Sequence, residues 1–326
     1  MSKSIKAGIY GAAGYTAGEL IRLIVHHPQV ELVLAQSESQ AGKPVTAIHQ
    51  DLTGDTELTF SQDLDLSGID VLFLCKGHGE STEFLKANRD ALQGIKLVDL
   101  SHDFRARDNS EGFVYGLPEI NRDKVRKSDR VANPGCFATG IQLGLIPAAH
   151  HKLVDGPVHI SGITGSTGAG QKLTTTSHFS WRNGNMSVYK AFNHQHLAEI
   201  GESLLQMDSH FNEVLHFIPY RGNFTRGIIV TSYFHCDADE QVVQAYYQEF
   251  YQDHPFVHVT DANPDVKLVV NTNKAIIYPK KHGDQLMVIS VIDNLLKGAS
   301  GQALQNMNLM FGLEENTGLN LKSIAF

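Results

Sequence analysis

Three observations predict an α/β fold opening on a doubly wound parallel sheet. A short apolar run ends in spaced glycines, a helical repeat follows it at once, and further short strands alternate with helix-like segments. Ile5 to Tyr10 is the first strand. Glu19 to Ile24 repeats at helical spacing and stops at His26-His27-Pro28, and Glu31 to Gln36 reads as the next strand. Strand, glycine turn, helix and strand make a βαβ unit, whose parallel strands require a crossover. Val71 to Cys75 and Lys96 to Leu100 continue the strands, with a helix expected over Ser81 to Ala91. A helix-like stretch, Thr139 to Leu145, follows the turn Asn133-Pro134-Gly135.

After about residue 157 the texture changes to longer strands at Val158 to Ile163, Gly227 to His235, Val266 to Asn271 and Leu286 to Val291. Helices are expected at Leu197 to Leu205, Val242 to Tyr251 and Ala299 to Met310, the last returning toward the first domain. This describes a second, mixed α/β domain, in keeping with 326 residues at roughly 150 per domain.

Composition excludes several function classes. With 27 Lys plus Arg against 35 Asp plus Glu, the net charge of -8 offers no positive field for nucleic acid or an anionic membrane surface. Three dispersed cysteines without a C-x-x-C pair support neither a disulfide scaffold nor a zinc ribbon, so a reducing, cytoplasmic setting is expected. No secretory signal is read at Met1 to Lys6, and the longest uncharged run, Val131 to His151, carries Asn133-Pro134-Gly135, Gln142 and Pro147, a poor membrane span.

Gly8, Gly11 and Gly14 form G-x-x-G-x-x-G at the end of the first strand, with Gly18 in the helix behind. Glycine there permits positive φ and brings a phosphate against the amides of the helix start. The motif alone also fits an ordinary tight turn, but its βαβ setting points to a dinucleotide. At the end of the second strand Ser37, Ser39 and Lys43 provide donors for a 2'-phosphate, whereas Glu38 suits a free ribose hydroxyl; the donors prevail, and NADP is expected over NAD.

Cys136 follows a Pro-Gly turn and precedes a helix, where amides favour a thiolate and can hold an oxyanion. Cys75 and Cys236 end apolar strands and read as packed small hydrophobes. On the residues alone, Cys136 stays open between nucleophile and packed thiol. Seventeen histidines cannot all be functional, and His26, His27, His150 and His151 are expected on solvated faces. In His194-Gln195-His196-Leu197-Ala198-Glu199, a helix starting near His196 puts Glu199 one turn away, able to orient the imidazole; a polar helix start with one buried histidine is the simpler alternative. Zinc would need a third ligand and wider helical spacing, so no metal is expected. Gly162 to Gly170 reads as a glycine-rich loop with exposed amides, and Arg226 in Gly222 to Gly227 could hold a carboxylate or phosphate, although Arg226 and Arg221 equally suit a solvated surface.

Taken in order, these segments resemble the N-acetyl-gamma-glutamyl-phosphate reductase family, the acyl-phosphate reductases of arginine biosynthesis. The resemblance spans nearly the whole chain. It rests on Gly8 to Thr16, Ala41 to Pro44, Asp99-Leu100-Ser101-His102-Asp103-Phe104-Arg105, Tyr115 to Glu119, Asn133-Pro134-Gly135-Cys136, the Thr164 to Gly170 loop, His194-Gln195-His196, Asn223 to Gly227 and Asp293 to Ala299. It implies an NADP-binding Rossmann domain over 1–138, completed by a C-terminal helix within 297–326. A substrate and oligomerisation domain over 139–296 would be similar to that of glyceraldehyde-3-phosphate and aspartate-semialdehyde dehydrogenases.

By the same resemblance Cys136 is the nucleophile and His196 the acid/base backed by Glu199, with His194 the other choice for that role. Arg226, His194, Arg105 and Asn133 would bind substrate. Gly11, Ala13, Gly14, Tyr15, Thr16, Ser37, Ser39, Lys43, Ser166, Gly168 and Asn294 would bind NADP. Phe137 and Ala138 stand where the family usually has tyrosine and proline. A homodimer or homotetramer is implied. The expected reaction is NADPH-dependent reduction of N-acetyl-L-glutamyl 5-phosphate through a cysteine thioester. The competing readings are the same reaction on aspartyl or N-acetylaminoadipyl phosphate, since a methylene is worth only about 1–3 kcal/mol of discrimination, and a nucleotide-binding protein without turnover.

Overall fold

The computed structural model describes residues 4–324. The chain divides into two compact units, Met1–Pro134 with Ala299–Asn320, and Gly135–Gly298 with Leu321–Phe326. The division falls just before Cys136, not after residue 138, because the helix that begins at Cys136 packs as one rod with the second unit.

In the first unit the strands are β1 (Ile5–Tyr10), β2 (Val30–Gln36), β3 (Val71–Leu74), β4 (Lys96–Asp99), β5 (Val114–Tyr115) and β6 (Arg130–Ala132), and all pair in parallel in the order β2-β1-β3-β4-β6-β5. The helices are α1 (Tyr15–Val25), α2 (Glu80–Ala87), α3 (Pro118–Arg126) and, eighth in chain order, α8 (Gly301–Met310). The chain leaves β1 for β2 on one side and for β3 on the other, which opens the crevice where doubly wound sheets bind their ligands. Strand β3 is buried along its whole length, as a strand covered on both faces must be.

Helix α2 ends at Ala87 and not at Ala91: Asn88 turns its side-chain amide onto the Phe84 carbonyl and caps the helix. Helix α8 is entirely buried despite its Gln and Asn side chains, because these find partners: Asn306 donates to the Gly116 carbonyl at 2.8 Å and Gln305 to Glu315 at 2.8 Å. His27, expected on a solvated face, is buried, with a ring nitrogen 3.2 Å from Asn308 Oδ1; no local pattern shows that a helix from the far end of the chain covers it. The residues before α8, Leu296–Ser300, form a π-turn where a plain helix was expected.

The second unit carries α4 (Cys136–His150), α5 (Phe179–Arg182), α6 (His196–Met207) and α7 (Glu240–Tyr251), together with β7 (Asp155–Thr164), β8 (Ser187–Val188), β9 (Leu215–Arg221), β10 (Ile228–His235), β11 (Val257–Val259), β12 (Ala275–His282) and β13 (Gln285–Ile292). Its mixed sheet runs β11-β12-β13-β10-β7-β9-β8. The strand expected over 266–271 is instead a short 3-10 turn at Val266–Leu268, because Asp265 accepts from the Lys267 amide and Asn271 adopts φ +70. The true strand lies just beyond, at β12. The loop expected over 162–170 is in part strand: Gly162 to Thr164 end β7, and a Cβ at Gly162 would stand 2.5 Å from the Phe137 ring.

Helix α4 is apolar all round and buried through thirteen residues, from Phe137 to Ala149, so the longest uncharged run of the sequence is a central core helix. No helix among the described residues is long and apolar enough to cross a membrane.

Candidate active site

The candidate centre in the second unit grows from the first turn of α4. Gly135 precedes the helix in extended conformation, φ -70 and ψ 152, and as a glycine it offers the first turn around Cys136 no capping side chain of its own. Cys136 itself is half-buried. The imidazole of His196, at the start of α6, lies flat against Gly135: a Cβ there would be 2.3 Å from His196 Nε2. Glycine is needed at that position for close approach, not for its φ.

Glu199 joins the two elements. Its Oε2 accepts the Gly135 N–H at 3.1 Å, and its Oε1 lies 3.8 Å from His196 Nε2. Glu199 and His196 are both buried, and α6 is tied to α4 again by Gln142 Nε2, which donates to the Glu199 carbonyl at 3.0 Å. His194 is close but differently placed. Its ring packs edge-on to Phe137, Phe217 and Tyr189, and its Nδ1 accepts the His196 N–H at 3.3 Å. Burial first, then the charges of Lys190 and Arg221, push His194 down to about 4, so it is neutral at neutral pH. The loop that carries it is strained, with Lys190 and Phe192 at φ +44 and +60.

Tyr189 and Arg221 belong to the same neighbourhood and have no local sequence signal. The Arg221 guanidinium lies 4.8 Å over the Tyr189 ring, and burial raises the Tyr189 hydroxyl, with the neighbouring Cys136 thiol as the next cause. A spacing rule could not have found them, since Tyr189 follows the edge strand β8 and Arg221 ends β9 opposite Ser187.

The remaining expected substrate and cofactor residues of this unit form a second knot. Arg226 Nε donates to Asp293 Oδ2 at 2.7 Å, and its side chain is mostly buried. Asn294 accepts the Gly227 N–H at 2.7 Å and donates to Thr167 Oγ1 at 3.0 Å, which fixes the Ser166–Ala169 turn holding Ser166 and the exposed Gly168. Gly298 presses against the thiol residue, for a Cβ there would lie 2.9 Å from Cys136 Cβ.

In the first unit, Gly11 adopts φ +86 with the Cys75 carbonyl beside it, and Gly14 starts α1 with no side-chain cap. A Cβ at Gly14 would meet nothing within 4 Å, so the start of α1 that carries Tyr15 and Thr16 has open space beside Gly14. His49 props this turn by bonding the Ala12 carbonyl at 2.9 Å, and Gly18 makes room for its ring; Ala13 lies between. At the end of β2, Ser37 and Ser39 approach to 3.5 Å, Lys43 reaches Gln40, and Lys76 pairs with Glu38 at 3.2 Å. A pyrophosphate fits the bare helix start, and a 2'-phosphate fits two hydroxyls and two ammonium groups once Glu38 is neutralised by Lys76. Arg105 donates to the Asn133 carbonyl at 2.8 Å and the Leu100 carbonyl at 3.0 Å, and the Asn133 side chain bonds the Ala299 carbonyl.

Both units match known families. Residues 6–128 match the semialdehyde dehydrogenase NAD binding domain, and residues 136–294 match the semialdehyde dehydrogenase dimerisation domain. Among solved structures, aspartate semialdehyde dehydrogenase II from Vibrio cholerae superposes with TM-score 0.75 at 14% identity, covering 95% of this chain and 99% of that one. Aspartate semialdehyde dehydrogenase with NADP from Candida albicans gives TM-score 0.66 at 14% identity, covering 97% and 100%. At that identity the likeness is one of fold. The sequence relatives are nearer: N-acetyl-gamma-glutamyl-phosphate reductase of Parabacteroides distasonis is 53% identical over 99% of this chain and 100% of its own, and that of Flavobacterium johnsoniae is 54% identical over 99% and 100%. Identity of that order along both units, with the fold shared by the wider semialdehyde dehydrogenases, makes the chain a member of the N-acetyl-gamma-glutamyl-phosphate reductase family.

Proposed function

We propose that this chain is the NADPH-dependent reductase that converts N-acetyl-L-glutamyl 5-phosphate to N-acetyl-L-glutamate 5-semialdehyde and phosphate in arginine biosynthesis, in the cytoplasm. One observation carries the chemical assignment: Glu199 holds both the amide before Cys136 and the imidazole of His196, so nucleophile turn and acid/base are set by one carboxylate. Cys136 Sγ attacks the acyl carbon, the C–O bond to phosphate breaks, and a thioester forms, splitting one hard displacement into two easier steps. Amides in the first turn of α4 hold the carbonyl oxygen as charge develops on it. His196 moves the proton at that oxygen, with Glu199 stabilising the imidazolium, a contribution of about 10² to 10⁴-fold. His194 accepts the His196 N–H and so orients His196.

Arg226, locked by Asp293, presents its guanidinium to an anionic group of the substrate; Arg105 and Asn133 shape the turn that leads to Cys136. Gly11, Gly14, Tyr15, Thr16, Ser37, Ser39 and Lys43 hold NADP, with Ser166, Gly168 and Asn294 at its nicotinamide end. When bound, the reduced nicotinamide supplies the hydride for the acyl carbon; the C–S bond then breaks, returning Cys136 as thiolate and freeing the semialdehyde. The second unit pairs with another copy through the partly covered face of its sheet, giving a homodimer or a tetramer built from it. Absorbance at the nicotinamide band tests the reading in reverse, with N-acetylglutamate semialdehyde, phosphate and NADP. Phosphate-dependent reduction of NADP with that substrate, and little with aspartate semialdehyde or NAD, is the expected result; preference for aspartate semialdehyde would overturn the substrate, and silence with every pair would overturn the enzyme.

A further inference from the structure

We infer that Asp293 is a positioning residue that sets the substrate arginine and the backbone against the nucleophile at once. Its side chain is completely buried at the end of β13, and both oxygens are occupied twice. Oδ1 accepts the N–H groups of Leu295 and Leu296 at 2.8 and 3.1 Å. Oδ2 accepts Arg226 Nε at 2.7 Å and the Asn271 N–H at 2.6 Å. A cap on its own turn needs only the first pair. The second pair reaches residues 67 and 22 positions away in sequence, which local turn chemistry does not require.

The main chain of Asp293 adds a third tie. Its carbonyl accepts the Gly298 N–H at 2.9 Å, and Gly298 is the residue packed on Cys136. A carboxylate offers about four acceptor sites, and here four donors fill them, so Asp293 does not bind substrate. It acts through Arg226 on one side and through the turn bearing Gly298 on the other. The inference rests on the proposed substrate role of Arg226.

Asp293→Asn keeps size but replaces one oxygen by a donor, which must face either Arg226 and Asn271 or Leu295 and Leu296. KM for the acyl phosphate is expected to rise at least about tenfold, the scale of a lost charge-assisted hydrogen bond, with a smaller change in kcat. In an Arg226→Ala background the same substitution is expected to move KM less than about twofold, because the group it orients is gone. Full multiplication of the two effects would mark Asp293 as merely structural and overturn the inference. A raised KM in Arg226→Ala with an unchanged KM in Asp293→Asn would overturn it while leaving the role of Arg226 intact; an unchanged KM in Arg226→Ala would overturn that role first. Should Asp293→Asn not fold, Arg226→Lys decides: it keeps the charge but loses the Nε donor, so KM should rise as in Arg226→Ala, and a wild-type KM would overturn the inference.

Discussion

Among the three cysteines only Cys136 sits at a helix start. Desolvation, with the Asp99 charge behind it, pushes the Cys75 thiol up to about 12, and Cys236 is buried just past the end of β10. Cys136→Ser should therefore fold and bind NADPH as the wild type does, while turnover falls by about three orders of magnitude or more; loss of folding in circular dichroism would make the thiol structural. The two histidines separate on a pH scale. His194 binds a proton at about 4 in the folded chain against 6.5 when free, so between those values the unfolded state holds more protons and stability rises with pH. His194→Asn should flatten that rise by an amount on the order of 1 kcal/mol, read as melting temperature from pH 4 to 7; an unchanged slope would remove His194 as its source. The placement of Cys136, His196 and Glu199 in first helical turns was legible, because local spacing rules mark those helix starts. Tyr189 and Arg221 were not, since a strained loop and an edge pairing bring them in.

At the scale of elements, helix α4 shows how a core helix tolerates proline. Pro147 has no N–H, so the Leu143 carbonyl four residues earlier loses its helical partner. Tyr251, on α7, supplies the missing donor at 2.6 Å, and Tyr247 bonds the next carbonyl, Gly144, at 2.7 Å. Tyr251→Phe leaves a buried carbonyl unmet and should cost about 1–3 kcal/mol in denaturant unfolding. In a Pro147→Ala background the cost should shrink, because the helix then serves its own carbonyl; equal costs in both backgrounds would sink the pairing. Strands β1 to β4 of the first unit were readable as apolar runs, whereas β5 and β6, two and three residues long, were too short to show a pattern. In the second unit β9 and β12 were hidden by Pro219 and by Pro279-Lys280-Lys281, which read as loop chemistry, whereas the apolar Val266 to Val270 imitates a strand but closes on Asp265 as a turn.

On the scale of the whole molecule, the second sheet has one face covered by helices and the other only partly covered. Ile228, Val230, Ser232 and Phe234 of β10 are buried toward the helices, while Ile229, Thr231 and Tyr233 alternate onto the other face. Register places Thr231 between Ser161 of β7 and Ile289 of β13, and Ile289 beside Tyr278 of β12, so a row of mostly uncharged side chains crosses the middle of that face. Ile229, Ile276, Tyr278 and Met287 are only partly buried there, around the small cluster of Val269, Ile289 and Val291. Apolar surface of this breadth is what an isologous pair covers, since a two-fold axis sets the same patch against itself. Thr231→Glu tests the pairing. In a lone chain the carboxylate would stand in water at little cost, whereas at a two-fold interface two charges would be buried opposite each other, a penalty of several kcal/mol. Light scattering after size exclusion should give the mass of two chains, or a multiple of two, for the wild type and a shift toward one chain for Thr231→Glu, with the melting of the separated chain little changed. A wild type that runs as a single chain, or a variant that keeps the wild-type mass, would place the partner elsewhere.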